Sequence, residues 1–363
     1  MPLLLSNEDV EQCLTMKECM EALEILYREL GEGKAVASPR SDIHVPTAAA
    51  RASELPMAHY LKSMTGATPH FGTAALRLSS DIVVWKETGN GLLRDKLPAL
   101  PGNRWLGLVL LFSSANGEVL AIMNDGMLQR MRVGGTNGVA TKYLAREDAE
   151  SACIFGSGWQ AGAQVMALCV ARRIKKIKAY SPTREHRERF ATEMSEKAGV
   201  EIVPAGSPEE AVQKVDIIIT ATNSRRPFLG PSSLGEGVHL SCMQRDEATD
   251  EALKRCEPLV LHTHLMEHNA TSSLLKRFEK PGFELKDHPI KRGIDWKSLP
   301  TLADLVCGKI KTRERAEQIT GFVNNIGLGA QFAAVGAKVY EAARARGLGR
   351  ELPLDWFTQD VHP

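Results

Sequence analysis

The chain has 363 residues, 43% apolar and 25% charged, which is ordinary for a globular protein of two domains or one large one. Its 45 basic and 44 acidic side chains give a formal net charge of +1, so nothing suggests a nucleic acid or a membrane surface as a partner. The seven cysteines are odd in number and never spaced as CxxC, which is typical of reduced thiols. The N-terminus lacks a secretion pattern and the longest apolar run is too short to span a bilayer, so we expect a cytoplasmic protein.

Residues 1–130 predict a mostly antiparallel α+β domain, because strand-like segments follow one another without regular helices between them. Asn116-Gly117 predicts a hairpin turn. The predicted elements are a helix over Cys19–Leu30 and strands over Asp42–Val45, Ala75–Trp85, Gly107–Phe112 and Leu120–Asn124.

From Ser151 to His264 the predicted strands and helices alternate, which favours a parallel sheet with helices on both faces, and we expect 131–320 to form this second domain. An alanine-rich helix over Ala330–Ala345 follows. We expect the segment 321–363 to pack back on the first domain. The predicted strands are Ala152–Phe155, Ile174–Ser181, Glu201–Pro204, Val215–Thr220, Gly237–Met243 and Pro258–His262.

A glycine-rich turn follows the first of these strands. Gly156 permits a tight turn, Gly158 lets the backbone approach a phosphate, and Ala161 keeps the following helix close to the strand. The helix N-terminus offers free N–H groups to an anion. This strand–turn–helix context predicts a dinucleotide-binding site. Its predicted cofactor-binding residues are Gly156, Ser157, Gly158, Trp159, Gln160, Ala161, Ser181, Thr183, Arg184, Thr220, Ala221 and Thr222.

The end of the second parallel strand bears on which nicotinamide cofactor binds. NAD-binding domains carry an acid there for the ribose 2′-hydroxyl, but no Asp or Glu occurs between Arg172 and Arg184. Ser181 and Thr183 can hydrogen-bond a 2′-phosphate, and Arg184 or Arg187 can neutralise it; the simpler interpretation is that both arginines are solvated charges in the first turn of the next helix. We therefore expect NADP(H) to be preferred, with NAD(H) possible.

Four segments in a fixed order carry a family resemblance. MRVGGTNGVATK (131–142) precedes the GSGWQA turn, CMQRD (242–246) follows the fifth strand, and TLADLVCG (301–308) with GFVNNIG (321–327) lies near the C-terminus. Together they resemble the ornithine cyclodeaminase / mu-crystallin family over about 39–347. The resemblance implies a Rossmann domain that binds NAD(H) or NADP(H), an N-terminal α+β domain that binds substrate and forms a homodimer, and interconversion of α-amino and α-imino acids without a metal.

The resemblance also implies roles for individual residues. Arg132 and Arg40 match arginines that bind the substrate carboxylate, and Asp246 matches an aspartate that handles protons at the substrate nitrogen. A carboxylate does favour a planar, bidentate guanidinium, and an acid at the carboxyl end of a parallel strand lies in the ligand crevice. Each residue also has a simpler interpretation: the arginines as surface charges, and Asp246 as the first residue of a helix that runs to Lys254.

The chain departs from the family pattern at three positions. Arg77 stands where most members have a lysine, and it keeps the positive charge without readily losing its proton. Arg245 stands in a segment that is usually glycine-rich, where it can read a second anionic group or face solvent. Gln331 stands where many members carry an acid, which disfavours cyclodeamination. The predicted catalytic residues are therefore Asp246, Arg77 and Arg132, and the predicted substrate-binding residues are Arg40, Arg77, Arg132 and Arg245.

We expect an oxidoreductase that reduces an α-imino acid or oxidises the matching amino acid by hydride transfer. The alternatives are an ornithine-type cyclodeaminase without net redox, a non-catalytic NADPH-linked binding protein of the mu-crystallin type, and a dehydrogenase that shares only the Rossmann domain. His262, His264 and His268 have a metal-like spacing without a recognised metal signature, and we interpret them as an accidental cluster.

Overall fold

The computed structural model describes residues 1–47, 57–88, 91–224, 226–276 and 293–361. Its first half contains β1 (Leu3–Leu5), α1 (Asn7–Cys13), α2 (Met16–Gly31), β2 (Val36–Ala37), β3 (Ser41–Pro46), β4 (Met57–Thr68), β5 (Thr73–Thr88), β6 (Gly91–Leu97), β7 (Leu106–Ser113), β8 (Val119–Asn124) and α3 (Gly126–Leu144). Its second half contains β9 (Ser151–Phe155), α4 (Trp159–Ala171), β10 (Lys176–Tyr180), α5 (Arg184–Ala198), β11 (Glu201–Pro204), α6 (Pro208–Val212), β12 (Ile217–Thr220), β13 (His239–Cys242), α7 (Asp250–Leu253), β14 (Leu259–Leu261), β15 (His268–Thr271), α8 (Ser273–Lys276), α9 (Leu302–Val306), β16 (Thr320–Val323), α10 (Gly329–Arg346) and β17 (Arg350–Glu351).

The first sheet has the strand order β15-β3-β4-β5-β7-β8-β1-β17 in the described residues, with β2 on β4 and β6 on β5. Its central pairs are antiparallel, and the predicted hairpin joins β7 to β8, with Gly117 at a φ of +76°. Alternate residues of β3 are buried, as expected for a sheet with one face on a core. Between residues 57 and 68 the apolar and polar side chains alternate too weakly for the sequence to predict β4.

The second sheet is wholly parallel, with the order β11-β10-β9-β12-β13-β16-β14 in the described residues. The strand order reverses direction at β9, so the crevice beside its carboxyl end is the expected ligand position of a doubly wound sheet. All four residues of β12 are buried, because helices cover both faces. The predicted fold class, a Rossmann-type domain with an N-terminal α+β domain, is confirmed.

Two strands pair with a different sheet from the one that the domain boundaries expected from the sequence would give them. β16 belongs to the parallel sheet, so a boundary at 320/321 separates this strand from its own sheet. β15 leaves the second half of the chain and pairs with β3 of the first sheet. The helix α10 packs on β4, β5 and α2, so this part of the C-terminal segment does return to the first domain.

The buried helix α3 brings the two sheets together. Gly134 packs so closely on α4 that a Cβ would meet the Ala163 backbone, and Gly135 and Gly138 make similar approaches to α2. Most of α3 is buried. Its side chains therefore face the first domain on one side and the parallel sheet on the other.

In the described residues no helix is long and apolar enough to cross a membrane.

Candidate active site

The glycine turn lies between the carboxyl end of β9 and the first residue of α4. Gly156 has a φ of +115°, and a Cβ there would collide with the Ala221 carbonyl oxygen, so this position requires glycine. Gly158 is the N-cap residue of α4 and provides no side-chain cap, and a Cβ at this position would meet no protein atom within 4 Å. Free N–H groups and the positive end of a helix dipole favour a phosphate. The turn therefore fits the diphosphate of a dinucleotide.

The end of β10 carries the residues expected to contact the ribose. Ser181 is buried, and its hydroxyl donates to the Thr183 carbonyl (3.2 Å). Arg184 donates to the Glu188 carboxylate (2.7 Å) with 74% of its side chain exposed, while Arg187 donates to the Ser181 carbonyl (2.9 Å). An exposed ion pair of this kind contributes little stability and exchanges readily. Arg184 can therefore turn towards an anion.

A buried carboxylate, Glu247, joins the loops that follow β12 and β13. One of its oxygens accepts from the Thr222 amide (2.8 Å) and hydroxyl (2.7 Å). The other accepts from the Thr220 hydroxyl (2.6 Å) and the Gln244 amide (2.9 Å). Burial raises the pKa of Glu247, and these four hydrogen bonds act in the opposite direction. The hydroxyls of Thr220 and Thr222, expected to contact cofactor, thus bond Glu247.

Arg132 lies on the first half of α3, at the carboxyl end of the parallel sheet. It is 5% exposed, and a Cβ on Gly327, in the loop after β16, would collide with its guanidinium. Its Nη1 donates to Gln331 Oε1 (3.2 Å), and its Cζ lies 5.2 Å from the centroid of the Phe332 ring. Its Nε has no partner, and no described carboxylate forms an ion pair with it. Burial lowers the pKa of Arg132 to about 9.

Arg77 and Arg40 belong to the same positive region, since their charges reinforce the effect of burial on the Arg132 pKa. Arg77 Cζ lies 5.8 Å from the Phe332 ring centroid, and its Nε donates to Asp125 (2.7 Å). Arg40 makes two hydrogen bonds to Asp42 (2.8 and 2.6 Å). These three of the four predicted arginines therefore differ: Arg40 and Arg77 are paired with carboxylates, and Arg132 has no carboxylate partner among the described residues.

Asp246 and Arg245 lie in the loop between β13 and α7. Asp246 is half-buried and directly precedes Glu247. The interpretation of Asp246 as the first residue of a helix is wrong, because α7 begins at Asp250 with Thr249 as its cap. Arg245 is half-buried, and its Cζ lies 5.0 Å from the centroid of the Trp296 ring.

The three spaced histidines do not converge. Both ring nitrogens of His262 have protein partners, the Tyr27 hydroxyl (2.9 Å) and the Ile326 carbonyl. His264 bonds the Leu299 carbonyl (2.8 Å), and His268 lies on β15. Within the described part of the chain no group of three or more His, Cys, Asp or Glu side chains is placed to hold a metal ion.

Sequence reasoning missed several residues of this site. Glu247 follows the same strand as Asp246, so the argument that selected one applies to the other. Tyr27 has the helical spacing of an ordinary core residue, so no sequence signal distinguishes it. Arg130 is buried on α3, with its Cζ 3.9 Å from the ring centroid of Trp159, the first residue of α4, and this contact exists only because the two helices pack together.

A glycine turn at the switch point of a parallel sheet, with a buried cation at the same edge, is typical of a dinucleotide-binding protein. The model of the ornithine cyclodeaminase/mu-crystallin family matches residues 100–347, and the chain belongs to this family.

Relatives and solved structures agree with this assignment. A Delta(1)-pyrroline-2-carboxylate reductase of Bacillus cereus is 31% identical over 253 residues, which is 68% of this chain and 74% of the relative. An alanine dehydrogenase of Archaeoglobus fulgidus is 27% identical over 96% of this chain and 98% of its own. The structure of the Thermococcus litoralis Delta(1)-pyrroline-2-carboxylate reductase with NADH and L-proline has a TM-score of 0.75 and 29% identity, covering 96% of this chain and 100% of that one.

The prediction of an oxidoreductase of the imine reductase and amino-acid dehydrogenase type is confirmed at the level of enzyme class, and so is a nicotinamide dinucleotide as its cofactor.

Proposed function

We propose that the chain is an NADPH-dependent reductase of α-imino acids, cyclic ketimine carboxylates included, which also catalyses the reverse oxidation of the amino acid. The observation that carries this proposal is Arg132. It is a buried guanidinium at the carboxyl edge of the parallel sheet, without a carboxylate partner among the described residues. A substrate carboxylate would supply the missing charge with two parallel hydrogen bonds. The name of the B. cereus relative supports a substrate of this kind.

Each residue of the positive region has a role in this proposal. Arg132 binds the carboxylate, and Arg77 and Arg40 add positive potential while their own partners hold them in place. The planar guanidinium of Arg132 fixes the trigonal α-carbon of the substrate through its carboxylate. Such positioning lowers a reaction barrier by about 7 kcal/mol or more in favourable cases. Asp246 exchanges the proton at the substrate nitrogen. The bound nicotinamide supplies or accepts the hydride.

The preference for NADPH rests on the end of β10. Among its residues no carboxylate stands where a ribose 2′-hydroxyl would be held, and Ser181, Thr183 and Arg184 present two hydroxyls and a cation. A 2′-phosphate would compete with Glu188 for Arg184 at little cost, because that ion pair is exposed. We therefore propose NADPH ahead of NADH.

A homodimer is proposed from the outer face of the first sheet. The register places Ile43, Leu61, Ser80 and Leu106 in one row across β3, β4, β5 and β7, on the same face as Val45 and Leu108. Ile43 and Val45 are each 40% exposed and Leu106 is 45% exposed. An exposed apolar sheet face of this extent is typical of a protein interface. Light scattering should then give a mass near twice 39.7 kDa.

Loss of NADPH absorbance with Δ1-pyrroline-2-carboxylate tests the proposal, with 1-pyrroline, the same ring without the carboxylate, as the matched control. Since hydrogen bonds to charged groups contribute about 1.5–3 kcal/mol each, kcat/KM should be about 100-fold or more higher for the carboxylate. The same assay with NADH should give the lower kcat/KM.

Other outcomes would replace the proposal. Ammonia release from ornithine without net NADPH consumption would indicate a cyclodeaminase. Tight NADPH binding without turnover of any imine would indicate a binding protein. Equal rates with both imines would remove the role given to Arg132.

A further inference from the structure

The side chain of Gln331, in the first turn of α10, lies fully buried against Arg132. Its Oε1 accepts from Arg132 Nη1 (3.2 Å) and from the Leu328 amide (2.8 Å). Its Nε2 donates to the Tyr27 hydroxyl (2.9 Å) and to Thr136 Oγ1 (2.7 Å). These contacts use both hydrogens and both lone pairs of the amide, so the side chain is fully satisfied.

The direction of this amide is imposed from the Arg132 side. A guanidinium and a backbone N–H can only donate, so the atom that faces Arg132 and Leu328 must be the amide oxygen. A reversed amide would place its NH2 group against two donors.

The opposite side is compatible with the same direction, since Tyr27 and Thr136, whose hydroxyl oxygens lie 2.8 Å apart, can both accept from an amide. The Ile326 carbonyl can only accept, so Nδ1 of His262 carries the hydrogen. Burial lowers the pKa of His262 to about 3, which leaves the ring neutral and its Nε2 able to accept from Tyr27. Thr136 donates to the Arg132 carbonyl (2.8 Å). The oxygens of Tyr27 and Thr136 thus both receive the amide hydrogens of Gln331.

The consequence is a guanidinium that is fixed but not neutralised. The Gln331 oxygen carries no formal charge, the Arg132 Nε has no partner, and the neighbouring Phe332 ring is apolar. A glutamate at position 331, which has the length of glutamine, would reach Arg132 as closely and would neutralise it. We propose that Gln331 is the positioning residue that holds Arg132 in place while leaving its charge to the substrate, and that it thereby determines specificity for carboxylate-bearing substrates. The inference rests on the proposed function.

The test compares Gln331→Glu, which is nearly isosteric, with Gln331→Met, which removes the hydrogen bonds without adding charge. The probe is pyrrole-2-carboxylate, an unreactive planar carboxylate, titrated calorimetrically into the NADPH complex. We expect its Kd to rise about 10- to 100-fold in the Glu variant and about 3- to 10-fold in the Met variant. The Kd of NADPH should stay within about threefold in both, since Gln331 contacts no part of the glycine turn.

Kinetics and stability separate this role from a merely structural one. With Δ1-pyrroline-2-carboxylate the Glu variant should show a raised KM with kcat changed by less than about threefold, which is the pattern of lost uniform binding. Its melting temperature should exceed that of the Met variant, because both variants lose the two hydrogen bonds to Tyr27 and Thr136 and only the Glu variant gains an ion pair with Arg132.

Two results distinguish the possible failures. If wild-type protein neither binds the probe nor reduces the imine, the proposed function itself is wrong. If wild-type protein does both and the Glu variant binds the probe equally well, or the Met variant loses as much affinity as the Glu variant, the inference about Gln331 is overturned while the proposed function stands.

Discussion

Arg132→Met should make the ligand-free protein more stable while removing its carboxylate binding. The guanidinium is buried with one hydrogen bond and no described carboxylate partner, so it is held charged at a cost to the folded state. Methionine has a similar reach, carries no charge and fills irregular space well. The substitution therefore separates what Arg132 does for function from what it does to stability.

The magnitude follows from the pKa of Arg132. Burial lowers it from 12.5 to about 9, and a tenfold change in an equilibrium constant is about 1.4 kcal/mol, so the charge costs on the order of 5 kcal/mol. The lost hydrogen bond to Gln331 and imperfect packing of methionine offset about 1–3 kcal/mol of this. We expect the Met variant to be about 2–4 kcal/mol more stable, which corresponds to about 3–5 °C in melting temperature, because 363 residues at about 2.1 cal/mol/K each give an unfolding entropy of about 0.8 kcal/mol/K.

Urea unfolding of both proteins, with and without pyrrole-2-carboxylate, measures this difference. The carboxylate should stabilise the wild type only. Because the pKa of Arg132 is depressed in the folded protein, the unfolded chain binds this proton more tightly, and wild-type stability should rise relative to the variant as the pH increases through about 9. The stability gap should therefore narrow between neutral pH and about pH 10.

A Met variant that melts below the wild type would refute the reasoning, since Arg132 would then be stabilised by contacts stronger than the single hydrogen bond to Gln331. Arg132→Lys is the matched control, because it keeps a charge and loses the planar donor pair, and it should show the functional loss without the gain in stability.

Three further substitutions test the cofactor side of the site. Gly156→Ala should cost about 2–4 kcal/mol of stability, because it forces a side chain into positive φ and against the Ala221 carbonyl. Gly158→Ala, which meets no protein atom, should leave the melting temperature unchanged and raise the NADPH Kd about tenfold or more. Equal melting temperatures for the two alanine variants would contradict the assignment of these glycines.

Glu247→Gln should destabilise the chain by about 1–3 kcal/mol, because the new NH2 group faces a backbone donor. Burial raises the Glu247 pKa, so wild-type stability from this group is present below the ordinary glutamate value and is lost as the pH rises. Chemical unfolding at about pH 5 and pH 8 should then show that the difference in unfolding free energy between wild type and the Gln variant is smaller at pH 8. A larger difference at pH 8 would contradict this account.

The sequence alone determined the features that depend on local chemistry. Gly156 and Gly158 directly after an apolar strand predict a phosphate-binding turn, because the conformation and the free N–H groups belong to that short segment. The alternation of strands and helices from Ser151 to His264 likewise predicts the parallel sheet, and the resemblance to a family placed Arg132, Arg40 and Asp246 among the candidates.

The tertiary structure decided which charges remain available. The sequence does not distinguish the three arginines Arg40, Arg77 and Arg132. In the structure Asp42 pairs with Arg40 and Asp125 pairs with Arg77, whereas Arg132 is held by the buried amide of Gln331, some two hundred residues away along the chain. It also assigned β15 to the first sheet and β16 to the second. The physical reason is that burial and pairing are properties of neighbours in space, and the neighbours of Arg132 come from α2, α3, α10 and the ends of β14 and β16, which no local pattern relates to one another.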